Sequence, residues 1–313
     1  MDCCPTGSPA GSLACTIINY NNGSEAAMTV QVDHDDSMRE LATESGVLRY
    51  HEIGDGPPLL LLHGSGPGVS GWQNYRGVVG ELAEHFRCLI LEFPGYGISD
   101  TGEGHPMRMA VESVGRFLDG MGLGAVDVIG NSMGGIVGAT VAADEPHRIR
   151  RLVTIGGVGK ALTSHSPSEG IKLLMQFTED PTRERLIAWL HSMVYNPATV
   201  TEALIEERWK LAVEPETLEA ARRMYTMKAF AAAAAAAKAA GVVPLWARFG
   251  DIQAPTLITW GRDDRVSPVD MALLPMRDIP NAELHVLPNC GHWTMIEARD
   301  EWLSAVLAFL TRD

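Results

Sequence analysis

Six short apolar runs punctuate the chain, at residues 59–62, 88–91, 126–129, 152–155, 256–259 and 284–287. Each meets a glycine or proline within a few positions: Gly64, Pro94, Gly130, Gly156, Gly261 and Pro288. Helix-compatible segments separate most of them. Short buried strands alternating with helices predict a parallel sheet covered on both faces. Upstream, residues 47–53 read as the second strand of a hairpin turned at Ser45-Gly46. Residues 1–36 show no periodicity and few apolar anchors, so they are expected to be a poorly ordered tail.

The span between the fourth and fifth runs breaks the alternation. Residues 160–247 hold no strand-like run and read as several helices, near 171–177, 183–194, 201–211 and 216–227. A helical insertion between two parallel strands is placed to cover the carboxyl edge of the sheet, where ligands bind. The expected organisation is therefore a tail (1–36), a core in two pieces (37–159 and 248–313) and a helical lid (160–247). Within the lid, residues 231–237 are seven consecutive alanines, a strong helix former that offers no chemistry.

Composition narrows the function classes. Hydrophobic residues make up 46% and charged residues 20%, as in ordinary globular proteins. No apolar run approaches the roughly 20 residues of a membrane helix. The net charge is −14 and no Lys/Arg cluster appears, which argues against a nucleic-acid partner. A small anion could still be held by one well-placed arginine. The five cysteines match no zinc spacing, and a reducing compartment is the simplest reading. With no basic, apolar leader at its start, the chain is expected to be cytoplasmic.

The candidate chemistry lies at the ends of the runs. Gly130-Asn131-Ser132-Met133-Gly134-Gly135 fits G-x-S-x-G, with a strand before it and a helix-compatible stretch after it. A serine on such a turn is an exposed nucleophile, and the helix that follows aims N–H groups at a developing oxyanion. Its base and orienting acid should follow in the order acid, then histidine. Gly261-Arg262-Asp263-Asp264-Arg265 and Gly291-His292-Trp293 supply that order, with Asp264 preferred and Asp263 as the competing carboxylate. His63-Gly64-Ser65-Gly66-Pro67-Gly68 is the loop expected to complete the oxyanion hole. The donors would be the backbone N–H groups of Ser65 and Met133. His63 is expected to shape that loop, and His285 to be structural.

Taken together with Gly71-Trp72-Gln73-Asn74, these motifs resemble the meta-cleavage-product hydrolases, carbon–carbon bond hydrolases of the α/β-hydrolase superfamily. The resemblance runs from about residue 46 to the C-terminus. It implies an α/β-hydrolase fold with a mostly parallel eight-stranded sheet, helices on both faces and a helical lid. It also implies hydrolysis of 2-hydroxy-6-oxo-2,4-dienoates without metal or organic cofactor, and assembly into a dimer or larger. Position by position, Ser132, Asp264 and His292 match the triad. Asn74, Asn131, Trp293, Gly64 and Gly66 match substrate-site positions. Arg208, in Glu206-Glu207-Arg208-Trp209, matches a lid arginine that binds the dienoate carboxylate. An esterase or lactonase with the same triad is the competing enzyme. A ligand-sensing protein that keeps the fold is the competing non-enzyme, disfavoured because all three triad residues are present.

Overall fold

The computed structural model describes residues 32–44, 46–100, 102 and 104–312. Eight strands form one sheet: β1 (Met38–Thr43), β2 (Gly46–Ile53), β3 (Pro58–Leu62), β4 (Arg87–Glu92), β5 (Val126–Asn131), β6 (Ile149–Ile155), β7 (Thr256–Gly261) and β8 (Ala282–Leu287). Their spatial order is β1-β2-β4-β3-β5-β6-β7-β8. The β1–β2 and β2–β4 pairs are antiparallel, and β3 to β8 are mutually parallel. The six apolar runs are these six parallel strands. This is the α/β-hydrolase fold.

Side chains leave a strand alternately to its two faces, and both faces here are dry. Leu59 and Leu61 of β3 and Cys88 and Ile90 of β4 enter one core, whereas Leu60, Leu62, Leu89 and Leu91 enter the other. Helices Pro106–Gly120 and Met133–Asp144 close the second core with Val114, Phe117 and Val137. Helix Arg299–Leu310 closes the first with Trp302, Val306 and Phe309. Burial pushes the Cys88 thiol up to about 12, so it behaves as an apolar side chain.

The hairpin has a first strand that no apolar pattern announces. β1 is largely exposed and held by its register with β2, from Met38 opposite His51 to Thr43 opposite Gly46. Ser45 of the expected turn lies outside the described residues, as do residues 1–31 of the expected tail. The rest of that tail includes one helical turn, His34–Ser37, capped by the Asp33 carboxylate, which accepts from Asp35 N at 2.8 Å. Buried Ser37 fixes it to β2 through a 2.9 Å hydrogen bond between Ser37 Oγ and His51 Nδ1.

Between β6 and β7 the chain forms helices Glu169–Glu179, Arg183–Ser192, Glu202–Ala212, Pro215–Arg222 and Met227–Ala239. Ser168, Thr182, Thr201 and Thr226 cap four of them, each side chain accepting from a backbone N–H of the first turn. The stretch expected as one helix over 216–227 is instead broken. Met224 N and Tyr225 N both donate to Ala221 O, which closes the turn, and Thr226 starts the next helix. That next helix contains the alanines and buries none of its residues.

Candidate active site

β5 delivers Ser132 to a bend that only glycine neighbours permit. Ser132 has φ 52° and ψ −111°, an uncommon conformation for a residue with a side chain, costing about 1–3 kcal/mol. Its N–H is fixed to Ile155 O at 2.8 Å. A Cβ on Gly130 would lie 2.4 Å from Gly134 O, and one on Gly134 would lie 2.1 Å from Leu62 O. The strand, the bend and the helix can therefore meet only with these side chains absent. Helix Met133–Asp144 begins immediately after Ser132, with buried Met133 as its first residue.

The adjacent pair Gly156-Gly157 brings the histidine to the serine. A Cβ on Gly157 would lie 2.7 Å from Ser132 Cα, and one on Gly156 would lie 3.2 Å from His292 Cε1. Ser132 and His292 thus flank one glycine corner. Asp264 Oδ2 is 2.7 Å from His292 Nδ1, and Asp264 Oδ1 accepts from Val266 N at 2.7 Å and Ser267 N at 2.8 Å. A carboxylate saturated with donors asks for a proton on Nδ1, leaving Nε2 as the basic nitrogen. Asp263 points elsewhere and pairs with Arg262 at 3.1 Å. Among the described residues no hydrogen bond joins Ser132 Oγ to the ring.

Across from the serine, the loop after β3 is held from several sides. Gly64 N donates to Asn74 Oδ1 at 2.9 Å, so this N–H is already engaged. A Cβ on Gly64 would strike Asn131 Oδ1 at 2.7 Å, which places Asn74, Asn131 and Ser132 around one residue. Asn131 Nδ2 reaches Ile155 O at 3.4 Å. Gly66 has φ 126° and lies against Trp189, whose ring would be 2.6 Å from a Cβ there. Half-buried Ser65 sits between these glycines, its Oγ hydrogen-bonded to Tyr225 in the turn after helix Pro215–Arg222. His63 accepts from Phe93 N on Nε2 at 3.0 Å and so donates from Nδ1 to Gly64 O at 2.6 Å.

Arg208 is inside. It is 3% exposed, donates Nη1 to Gly68 O at 3.1 Å, and carries a buried Nε with no partner among the described residues. Its acidic neighbour Glu207 turns away to Arg76 and Gln73. Burial pulls the guanidinium down to about 10. Its central carbon lies 5.8 Å from the ring centre of buried Trp293, the residue after His292. A buried cation without a carboxylate is costly unless an anion joins it.

This geometry has close counterparts. The family model described as the alpha/beta hydrolase family matches residues 59–306. A 2-hydroxy-6-oxo-6-phenylhexa-2,4-dienoate hydrolase from Comamonas testosteroni is 34% identical, covering 84% of this chain and 91% of its own. A 2-hydroxy-6-oxononadienedioate/2-hydroxy-6-oxononatrienedioate hydrolase from Burkholderia vietnamiensis is 36% identical, over 85% and 91% respectively. The chain belongs to the meta-cleavage-product hydrolases of the α/β-hydrolase family. Among solved structures, the meta-cleavage product hydrolase of Pseudomonas fluorescens IP01 superposes with a TM-score of 0.76. It has 26% identity, covering 87% of this chain and 97% of that one.

Four further residues of this hydrolase build the site without any sequence motif. Trp189 packs on Gly66, and its Nε1 is a second buried donor without a partner. Tyr225 holds Ser65. Glu297 accepts from Gly291 N at 2.8 Å and from Asn196 N at 2.8 Å, joining the histidine loop to the lid. Glu92 ends β4 fully buried and accepts from Gly71 N at 2.8 Å and Trp72 N at 3.0 Å, fixing the short helix Gly71–Tyr75 that carries Asn74. An acid ending an otherwise apolar strand was the one visible signal.

Three buried groups, His63, His51 and Glu92, give the hydrolase a pH signature. Burial pushes His63 down from 6.5 to about 4, so between those values only the unfolded chain takes up the proton, and stability rises with pH. Buried His51 is pushed down the same way. Glu92 opposes them. Burial raises it from 4.5 to about 7, so the folded chain keeps a proton that the unfolded chain has lost, and stability falls with pH through that window. The net expectation is a melting temperature that climbs from about pH 4 to 6.5, and climbs more steeply in Glu92→Gln. An identical slope in the variant would exclude Glu92 as the opposing group.

Proposed function

We propose that the chain hydrolyses the carbon–carbon bond of 2-hydroxy-6-oxo-2,4-dienoate ring-cleavage products with Ser132, Asp264 and His292 as its triad. Arg208 holds the dienoate carboxylate, completing its buried and unmatched charge. Ketonisation of the dienol places a carbonyl where it accepts the electron pair of the bond to be broken. Ser132 Oγ attacks the 6-oxo carbon and its proton passes to His292 Nε2, while Asp264 stabilises the imidazolium. The N–H groups of Ser65 and Met133 receive the oxyanion. As it collapses, the carbon–carbon bond breaks, its electrons move into the ketonised chain, and the imidazolium proton completes the hydroxypentadienoate product. Water then hydrolyses the acyl group to the second carboxylic acid. Asn74, Asn131, Trp293, Gly64 and Gly66 shape the cavity around the substrate in this reading. No metal or organic cofactor enters any step.

The observation that carries this reading over plain ester hydrolysis is Arg208, buried beside Trp293 with an unpartnered Nε. A forked guanidinium suits bidentate carboxylate binding. Arg208→Ala is expected to lower kcat/KM on a dienoate by about 2–4 kcal/mol, with Arg208→Lys recovering only part of it. Hydrolysis of a small neutral p-nitrophenyl ester should stay within about twofold, since that substrate has no carboxylate to hold. Equal losses on both substrates would remove the clamp from the mechanism. The reading also includes a cytoplasmic setting and assembly into a dimer or larger. Among the described residues, no helix is long and apolar enough to cross a membrane.

A further inference from the structure

Ser65 sits between two residues whose backbones are already fixed. Gly64 is held by Asn74 through a 2.9 Å hydrogen bond, and Gly66 is wedged under Trp189. The Ser65 side chain is held from a different direction. Tyr225 is 5% exposed and belongs to the turn after helix Pro215–Arg222, which Tyr225 N closes with a 2.7 Å bond to Ala221 O. Its hydroxyl is hydrogen-bonded to Ser65 Oγ, 160 positions away in the chain. Arg223, two positions before Tyr225, docks as well: its Nη1 donates to Gly102 O at 3.1 Å.

We propose that Tyr225 is a positioning residue of the lid that sets the oxyanion-hole loop through its hydrogen bond to Ser65. This inference rests on the hydrolytic reading above, in which the Ser65 N–H faces the oxyanion. Burial pushes the Tyr225 phenol up to about 12, so it keeps its proton throughout the working range. A phenol is a better donor than an aliphatic alcohol, which makes Tyr225 the donor and Ser65 Oγ the acceptor. The bond fixes the Ser65 side chain and, with Gly64 and Gly66 anchored, leaves its backbone N–H little freedom. A donor already aimed at the oxyanion needs no reorganisation during the reaction, which is the source of its catalytic value. Without the phenolic hydroxyl, Ser65 keeps its N–H but loses the side-chain half of its orientation.

The test combines Tyr225→Phe, Ser65→Ala and the double variant, each assayed on a dienoate and on p-nitrophenyl acetate. Phenylalanine retains the buried ring and removes only the hydroxyl. The expected result is a fall in kcat of about 10- to 100-fold on both substrates, with KM within about twofold, because the oxyanion forms in both reactions. The double variant should be no slower than the slower single one, since both remove the same bond. Melting temperatures should stay close to wild type. A rise in KM with unchanged kcat, or losses that multiply in the double variant, would overturn the proposal. Should Tyr225→Phe not fold, Ser65→Ala removes the same bond from the core side, and an unchanged kcat there overturns it equally. A wild-type enzyme that cleaves the ester and leaves the dienoate intact would defeat the carbon–carbon reading alone, and the ester arm would still judge Tyr225.

Discussion

Ser132→Ala is expected to lower turnover by roughly five to six orders of magnitude, the scale lost when one member of a cooperating triad is removed. The reason is local. His292 then has no Ser132 hydroxyl to deprotonate, and the corner packed against the Cα of residue 132 is built of glycines. The fold should survive, because the bond from residue 132 N to Ile155 O uses only backbone. Dienoate binding should survive as well, since the proposed anchor is Arg208. Loss of the dienolate absorbance reports turnover, and equilibrium binding of the same compound reports the anchor. A variant that still turns over at near wild-type rate would end the nucleophile assignment for both ester and carbon–carbon chemistry.

Asp264→Asn should cost about 10⁴-fold in kcat, the scale seen when a triad acid becomes an amide. The asparagine oxygen can still accept from Val266 N and Ser267 N, which now receive Asp264 Oδ1 at 2.7 and 2.8 Å. That leaves an NH₂ group facing His292 Nδ1, which sits 2.7 Å from Asp264 Oδ2 in the wild type. Two donors cannot share that contact, so the ring adopts the tautomer protonated on Nε2 and can no longer take the serine proton. Asp263→Asn breaks only a partly exposed pair with Arg262, and its effect should be less than about twofold. The reverse ranking of these two neighbours would exchange their roles. Comparing kcat for both variants on one ester is sufficient.

The contrast between Asp263 and Asp264 illustrates what a sequence can show. The motif places an acid after β7, but two consecutive carboxylates leave the chain in different directions, and only the turn through Val266 and Ser267 shows which faces inward. Among the parallel strands, of which edge strand β8 is only partly buried, β3 to β7 were legible because burial on both faces forces continuous apolar runs. β1 was not, since an exposed edge strand needs no apolar side chains and takes its register from its neighbour. Arg208 stands beside Glu206 and Glu207 in a charged stretch, and charge alone does not tell an outward arginine from an inward one. The break at Met224 and Tyr225 was hidden for a related reason: no glycine or proline marks it, and the next helix starts at once under a threonine cap. Trp189 packs on Gly66 and Glu297 reaches Tyr195 N and Asn196 N, partners far away in sequence that no local spacing reveals, and Glu92 shows only as an acid at the end of an apolar run.

A set of hydrogen bonds ties the His292 loop to residues 193–196. His292 N donates to Met193 O at 2.7 Å, and Glu297 binds Gly291 N together with Tyr195 N and Asn196 N. Residues 193–196 and the loop of His292, the proposed base, therefore share a backbone seam. A lid swinging as a single flap would drag the imidazole off its aspartate with every opening. The seam around residues 193–196 is better understood as a fixed pivot. In the proposed reaction, substrate and product would pass between the helices on either side of it, leaving the His292–Asp264 contact assembled. In mechanical terms, admission and chemistry are decoupled.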